Sequence, residues 1–377
     1  MTNLISISHN GVKLSIGFDG AFNVFDAPLF IWHNGFIHVW LKGSSVFRLQ
    51  RVNKDSPARA SARGTVGRMI SDASNIHARK AAQRLPPWIR VRLRADGHFS
   101  KVHATLRAGG LHTVCEEAHC PNKQECYNRG TATVMILGDT CTRHCRFCAI
   151  HAGVPHPVDP REPERVVAMA RTLGLRYMVV TSVTRDDLTD GGAGLFAETI
   201  IQLKRLENVM VEVLTPDFQG KRHLVETVLA AGPHVFNHNL ETVRRLQPDV
   251  RPQADYDRSL QVLRIAAKWR PKLIVKSGLM VGLGESDEEL MAALADLLAT
   301  GCRSLTLGQY LAPSSRHWPV ARFVHPQQFE HYRRHALGLG FLAVAAGPLV
   351  RSSYQADKLM AQIRARLHAD SGVADSG

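Results

Sequence analysis

The chain has 377 residues, 45% of them hydrophobic and 21% charged, a make-up that excludes disordered and fibrous classes. A formal charge of +14 suits acidic partners, yet no Lys/Arg run with interleaved aromatics calls for nucleic acid. No run of about eighteen uncharged apolar residues exists, so no membrane-spanning helix is expected.

Residues 1–85 differ in character from the rest of the chain. In "GVKLSIGFDGAFNVF" and "APLFIWHNGFIHVWL" an apolar run, a DG or NG pair and a second apolar run predict two hairpins. Then "KDSPARASARGTVGR" is small, polar and Arg-rich, as a linker or targeting segment is. Three origins stay open for this region: upstream sequence before a true start at Met69, a small extra domain, or an organellar presequence. No secretory signal opens the chain, so the cytoplasm is expected, or an organellar matrix if residues 1–68 are a presequence.

From about residue 130, β-branched runs alternate with amphipathic stretches. Strands are predicted at 132–137, 176–183, 209–216, 234–240, 272–283, 304–311 and 341–348. Helices are predicted at 161–174, 193–206, 221–231, 255–269, 286–300 and 326–339. Apolar strands spaced by helices mean buried parallel strands and right-handed βα units. About six such units make an α/β fold, a complete or partial (β/α) TIM-type barrel. Polar groups collect where strands end, in "TSVTRDD", "LTPDF", "NHNLE" and "KSG", which is where such barrels do chemistry.

Seven cysteines are present, six of them between positions 115 and 148. That clustering is not the spread of a disulfide framework; it points to metal. Cys141, Cys145 and Cys148 follow the first predicted barrel strand in "CTRHCRFC". Zinc sites usually close a tetrahedron with four ligands. Three thiolates on one short loop suit a 4Fe–4S cube whose fourth iron stays open. The plain alternative is zinc completed by His144 or His151. Upstream, Cys115, Cys120 and Cys126 in "CEEAHCPNKQEC" again supply three thiols and lack a fourth. A disulfide would leave one over, zinc would need a histidine such as His119, and a second cluster accommodates all three.

The spacing of the first triad, with Phe147 before its third cysteine, resembles the motif of the radical S-adenosylmethionine (SAM) superfamily. "GLMVGLGE" resembles that superfamily's glycine-rich strand beside the adenosine, where backbone must approach a ligand closely. The paired triads with "VTSVTRDDLTDGGA", "EVLTPDFQG", "FNHNLETV", "KSGLMVGLGE" and "GPLVRSSYQAD" are similar, from about Pro86 to Asp357, to the lipoyl synthase family.

The resemblance implies four parts: an unmatched extension at 1–85, an auxiliary-cluster segment at 86–130, a radical SAM barrel at 131–345, and a C-terminal extension at 346–377 carrying "RSSY". It implies two 4Fe–4S clusters and SAM. One cluster sits on Cys141, Cys145 and Cys148, the other on Cys115, Cys120, Cys126 and Ser353, with Ser352 the other choice for the serine. The auxiliary cluster is implied to supply the sulfurs, and serine, a less usual ligand than thiolate, lets its iron go more easily. The reaction implied is insertion of two sulfur atoms into an octanoyl chain on a lysine of a lipoyl carrier domain. Unactivated C–H bonds resist acid–base chemistry and need a carbon radical. Both clusters are expected in one barrel mouth, on opposite sides of the alkyl chain. Implied partners are octanoylated carrier domains of 2-oxoacid dehydrogenases or the glycine-cleavage H protein, and a low-potential donor such as ferredoxin or flavodoxin, with no nucleic acid and no membrane.

Asn237, Asn239, Glu241, Lys276 and Ser277 are the residues expected to hold SAM's polar groups, against plain strand-end polarity. Arg185 and Asp186 are expected as a loop ion pair or a substrate contact, and Cys302 as an inert buried thiol. Ala149 stands where the family commonly has Asp, so a hydrogen bond beside the site is expected to be missing. The competing readings are another radical SAM enzyme with an auxiliary cluster, methylthiotransferase-like, and a zinc-stabilised nucleic-acid-binding module.

Overall fold

In a computed structural model the chain forms two compact units, Met1–Lys80 and Ala81–Gly377. The described residues are the strands of the first unit together with 85–90, 98–118, 120–128, 133–270 and 272–373.

In the first unit Thr2–His9 pairs antiparallel with Val12–Asp19. Leu29–His33, Phe36–Leu41 and Ser45–Leu49 form a three-stranded antiparallel sheet. One predicted hairpin is found, its arms meeting at His33 and Phe36 on either side of Asn34-Gly35. The other is displaced. Val12–Asp19 pairs with the strand before it, His9 opposite Val12, and the sequence between those two residues, Asn-Gly, is as strong a hairpin signal as Asp-Gly at 19–20. The arm expected at 21–25 and the segment 54–68 lie outside the described residues.

The second unit is built on seven strands: β1 (Thr133–Ile136), β2 (Tyr177–Ser182), β3 (Met210–Leu214), β4 (Val235–Asn237), β5 (Ile274–Val281), β6 (Ser304–Gln309) and β7 (Ala343–Gly347). They lie in chain order and every neighbouring pair is parallel. A two-residue antiparallel strand, His112–Thr113, borders β1, and β1 does not pair with β7. The barrel is therefore partial, the second of the two forms the sequence allows. Between strands run α1 (Glu162–Leu173), α2 (Ala193–Lys204), α3 (Arg222–Ala230), α4 (Tyr256–Trp269), α5 (Asp287–Ala299) and α6 (Pro326–Leu339).

Local chemistry sets these bounds. Asp255 accepts from the Arg258 amide to start α4, and Ser286 and Glu289 form a reciprocal capping box at α5. Gly174 and Gly340 end α1 and α6 in the left-handed region that costs glycine nothing. β4 is shorter than predicted because the chain turns at Glu241, φ 69°, and bridges there to Leu279 of β5. Strand residues are buried on both faces, and Phe196 of α2 and Phe236 of β4 are fully enclosed, each contributing roughly 1.5–3 kcal/mol. A further helix, α7 (Ala356–Val373), was not foreseen. Its Leu359 and Ile363 pack on Val235, Ile274 and Ala343, the first residues of β4, β5 and β7, and so cover the end where strands begin.

Candidate active site

β1 ends in two left-handed residues, Leu137 and Gly138, with the Leu137 amide held at 2.7 Å by the buried Glu162 carboxylate. This turn releases the chain into the loop of Cys141, Cys145 and Cys148. Two backbone amides, of Arg143 and Thr184, point at the Cys141 sulfur from 3.4 Å. Arg143, in the middle of the loop, is buried and forks between two carboxylates. It meets Asp186 at 2.6 and 2.9 Å and Asp217 at 3.0 and 2.7 Å. Burial alone would raise Asp217, but hydrogen bonds and charge from Arg143 outweigh it and hold the carboxyl well below the usual range. Burial pushes the Cys148 thiol up to about 12. It raises Cys145 too, opposed there by the Arg251 guanidinium.

The second triad approaches β1 from its other end. Thr113 caps the short helix Val114–Glu117 that carries Cys115, and Cys126 lies on Lys123–Asn128. The buried Cys115 thiol, pushed up to about 11 by burial, receives a hydrogen bond from the backbone of Thr133, the first residue of β1. The segment after β7 is tied to the same place. Asn122 donates to the Leu349 carbonyl at 2.5 Å, Thr133 to the Ser353 hydroxyl at 2.7 Å, and Tyr354 to Glu125 at 3.0 Å. Ser353, with Cys115, Cys126 and Thr133, lines a small cavity of about 30 Å³; Ser352 does not.

A larger cavity of about 530 Å³ joins the two groups. Cys141, Cys145 and Cys148 line it, as do Cys115, Cys120 and Ser353, and the wall between includes Met135, Leu214 and Leu279. Both triads thus line one cavity, as expected. The first triad lies beyond the carboxyl end of β1, and Cys115 lies beside its first residue, Thr133, because His112–Thr113 runs antiparallel along β1.

The five residues expected around SAM divide. Asn239 and Glu241 line the cavity, with the Asn239 amide donating to Glu241 at 3.0 Å and its own oxygen left without a partner. Asn237, Lys276 and Ser277 do not line it. Lys276 and Asn237 both donate to the buried Glu212, at 2.7 and 3.3 Å, in a network that the half-buried Tyr177 completes at 2.6 Å. Ser277 accepts from the Leu240 amide. Their charge and polarity serve the barrel interior. Arg185 and Asp186 do not pair with each other: Arg185 grips Asp187 at 2.8 Å, and Asp186 belongs to Arg143. Cys302 is fully buried, its thiol pushed up to about 12 by burial.

Sequence reasoning missed Arg143 and Asp217, which pair across a long stretch of chain, and Arg251, whose neighbour Cys145 is likewise distant in sequence. Arg251 lines the cavity between Cys145 and Glu241, donating to the carbonyls of Asn239 and Leu240. His238 beside it, held near 4 by burial and by Arg251, is neutral, and its Nδ1–H donates to the Thr215 carbonyl at 2.9 Å.

A three-cysteine loop after the first strand of an open (β/α) barrel, facing a large cavity, defines a radical SAM protein, and the model of the radical SAM superfamily matches residues 135–297. The model of the N-terminal domain of lipoyl synthase matches residues 68–120. A lipoyl synthase of Symbiobacterium thermophilum is 52% identical over 80% of this chain and 94% of its own length. One of Caldanaerobacter subterraneus is 53% identical over 73% and 96%, and one of Thermus thermophilus 54% over 74% and 88%. The chain belongs to the lipoyl synthase family.

That membership removes the methylthiotransferase-like and zinc-module alternatives, and it brings SAM and two 4Fe–4S clusters as cofactors. The residues present fit them. Amides aimed at the Cys141 sulfur and the Arg251 guanidinium beside Cys145 stabilise sulfur carrying negative charge, as a thiolate ligand does. His238 Nε2, Asn239 Oδ1 and Thr215 Oγ1 are buried without partners on residues that line the cavity, where a polar ligand would satisfy them. Gly278 leaves backbone open there: a Cβ would stand 2.7 Å from Thr306 Oγ1 and 2.9 Å from Asn239 Oδ1. Among the described residues no three His, Cys, Asp or Glu converge as ligands of a single ion.

Proposed function

We propose that this enzyme inserts two sulfur atoms into the octanoyl chain on a lysine of a lipoyl carrier domain, giving lipoyl-lysine. Cys141, Cys145 and Cys148 hold the cluster that works with SAM; Cys115, Cys120, Cys126 and Ser353 hold the auxiliary cluster. When bound, these cofactors supply the carbon radical that takes hydrogen from an unactivated C–H bond and the sulfur that replaces it. The observation that carries the reading is one cavity lined by both cysteine groups, with a largely apolar wall between them.

The chain's own part is to hold, orient and exclude water. Arg143, locked by Asp186 and Asp217, fixes the shape of the Cys141–Cys148 loop. Asn239, Glu241 and Arg251 offer polar and charged groups for the amino acid and ribose parts of SAM. Met135, Leu214 and Leu279 give an alkyl chain an apolar path between the two groups of thiols. The carrier is the acyltransferase subunit of a 2-oxoacid dehydrogenase or the H protein of glycine cleavage. Reduction comes from a low-potential ferredoxin or flavodoxin. Clustered cysteines suit the reducing cytoplasm, which is the compartment we propose.

Two variants test the division of labour. After anaerobic reconstitution Cys145→Ala should lose SAM cleavage, while Cys120→Ala should cleave SAM with an octanoyl-lysyl peptide and form no lipoyl product by mass spectrometry. Lipoyl-lysine from Cys120→Ala at the parent yield would remove the auxiliary cluster as sulfur source.

A further inference from the structure

Thr133 touches the auxiliary site twice. Its backbone hydrogen-bonds the Cys115 thiol, and its hydroxyl lies 2.7 Å from the Ser353 hydroxyl, 220 residues away in sequence. The side chain is almost fully buried, and β1 fixes it in place by pairing Thr133 with Val179. A β-branched side chain on a paired strand has little rotational freedom, so its hydroxyl is a rigid anchor. Ser353 has no such rigidity of its own: it sits between the end of β7 and the start of α7, outside regular structure. Its neighbour Ser352 makes no hydrogen bond of this kind and is absent from the small cavity shared by Cys115, Cys126 and Thr133.

We propose that Thr133 is a positioning residue for Ser353. Its hydroxyl holds the serine oxygen toward Cys115 and Cys126, so that the serine keeps hold of its iron. The inference rests on Ser353 being the fourth ligand of the auxiliary cluster. A threonine hydroxyl suits the task because it can donate to the serine oxygen both as an alcohol and as a cation-bound alkoxide. Outer partners of metal ligands typically change metal retention about 10–100-fold.

The test uses the full chain, reconstituted anaerobically with both clusters. Thr133→Val keeps the shape and the backbone contact to Cys115 and removes only the hydroxyl; Thr133→Ala serves if the valine variant does not fold, and Thr133→Ser should restore the parent behaviour. Mössbauer spectra identify the oxygen-ligated iron, and a chelator reads its release, followed by electron paramagnetic resonance of the three-iron cluster left behind. The expected result is release about 10–100-fold faster in Thr133→Val, with the iron held by Cys141, Cys145 and Cys148 leaving at the parent rate. Release at the parent rate from both the valine and alanine variants overturns the proposal. If instead the parent shows no oxygen-ligated iron, or Ser353→Ala retains it, the assignment of Ser353 fails and this inference with it.

Discussion

Arg143→Met should destabilise the protein by about 3 kcal/mol, the low end of the 3–5 kcal/mol lost when one partner of a buried ion pair is removed. The Asp217 side chain is 0% exposed and that of Arg143 5%, so water does little to screen the pair. Asp217 would keep the Gln219 amide at 3.0 Å. Arg258 Nε stays 2.9 Å away but is not aligned as a hydrogen bond, and a charge without a directed N–H replaces only part of the fork. Urea unfolding of the cluster-free protein measures the loss, and iron content after reconstitution shows whether the Cys141–Cys148 loop keeps its shape. Arg143→Lys should fall between, because an ammonium cannot serve two carboxylates in one plane. Since Asp217 is depressed in the folded state, the pair's contribution is complete above about pH 4, the unfolded value, and lost as pH falls toward the folded one. The gap between parent and Arg143→Met should therefore narrow below about pH 4. Coincident urea midpoints at neutral pH with full iron loading would refute the clamp.

Lys276→Met leaves Glu212, 1% exposed, with only Tyr177 and Asn237, and should cost about 3–5 kcal/mol; Lys276→Met with Glu212→Leu should recover most of it in calorimetry. A double variant less stable than Lys276→Met alone would show that the pair is not the issue. Gly308→Ala places a Cβ against the Val350 carbonyl, and so displaces the chain leading to Ser353. Iron per reconstituted chain should fall by about half, the auxiliary cluster being lost; unchanged iron would separate that segment from the site.

Most of the barrel was legible because its strands are apolar on both faces and its helices carry capping residues such as Asp255 and Ser286. The cysteines were legible because ligands that share a short loop share a short stretch of sequence. What stayed hidden depends on long-range pairing. Arg143 and Asp217 are 74 residues apart, and Lys276 and Glu212 are 64 apart. At a strand's end Lys276 reads as a group awaiting a ligand, and only the fold reveals that a carboxylate inside the barrel already holds it. α7 was missed because its apolar positions are sparse: Leu359 and Ile363 face the strand starts while much of the rest is polar.

Residues 115–126 and Ser353 belong to the two flanks of the barrel, and hydrogen bonds spanning 227 and 229 positions already draw those flanks together. An inorganic centre bound by both would turn the intervening chain into a closed ring, restricting the unfolded ensemble as a long-range staple does. If that centre is spent in catalysis, the enzyme opens its own ring at each turnover, and protease attack on the C-terminal segment becomes a clock for how many sulfurs have been given away.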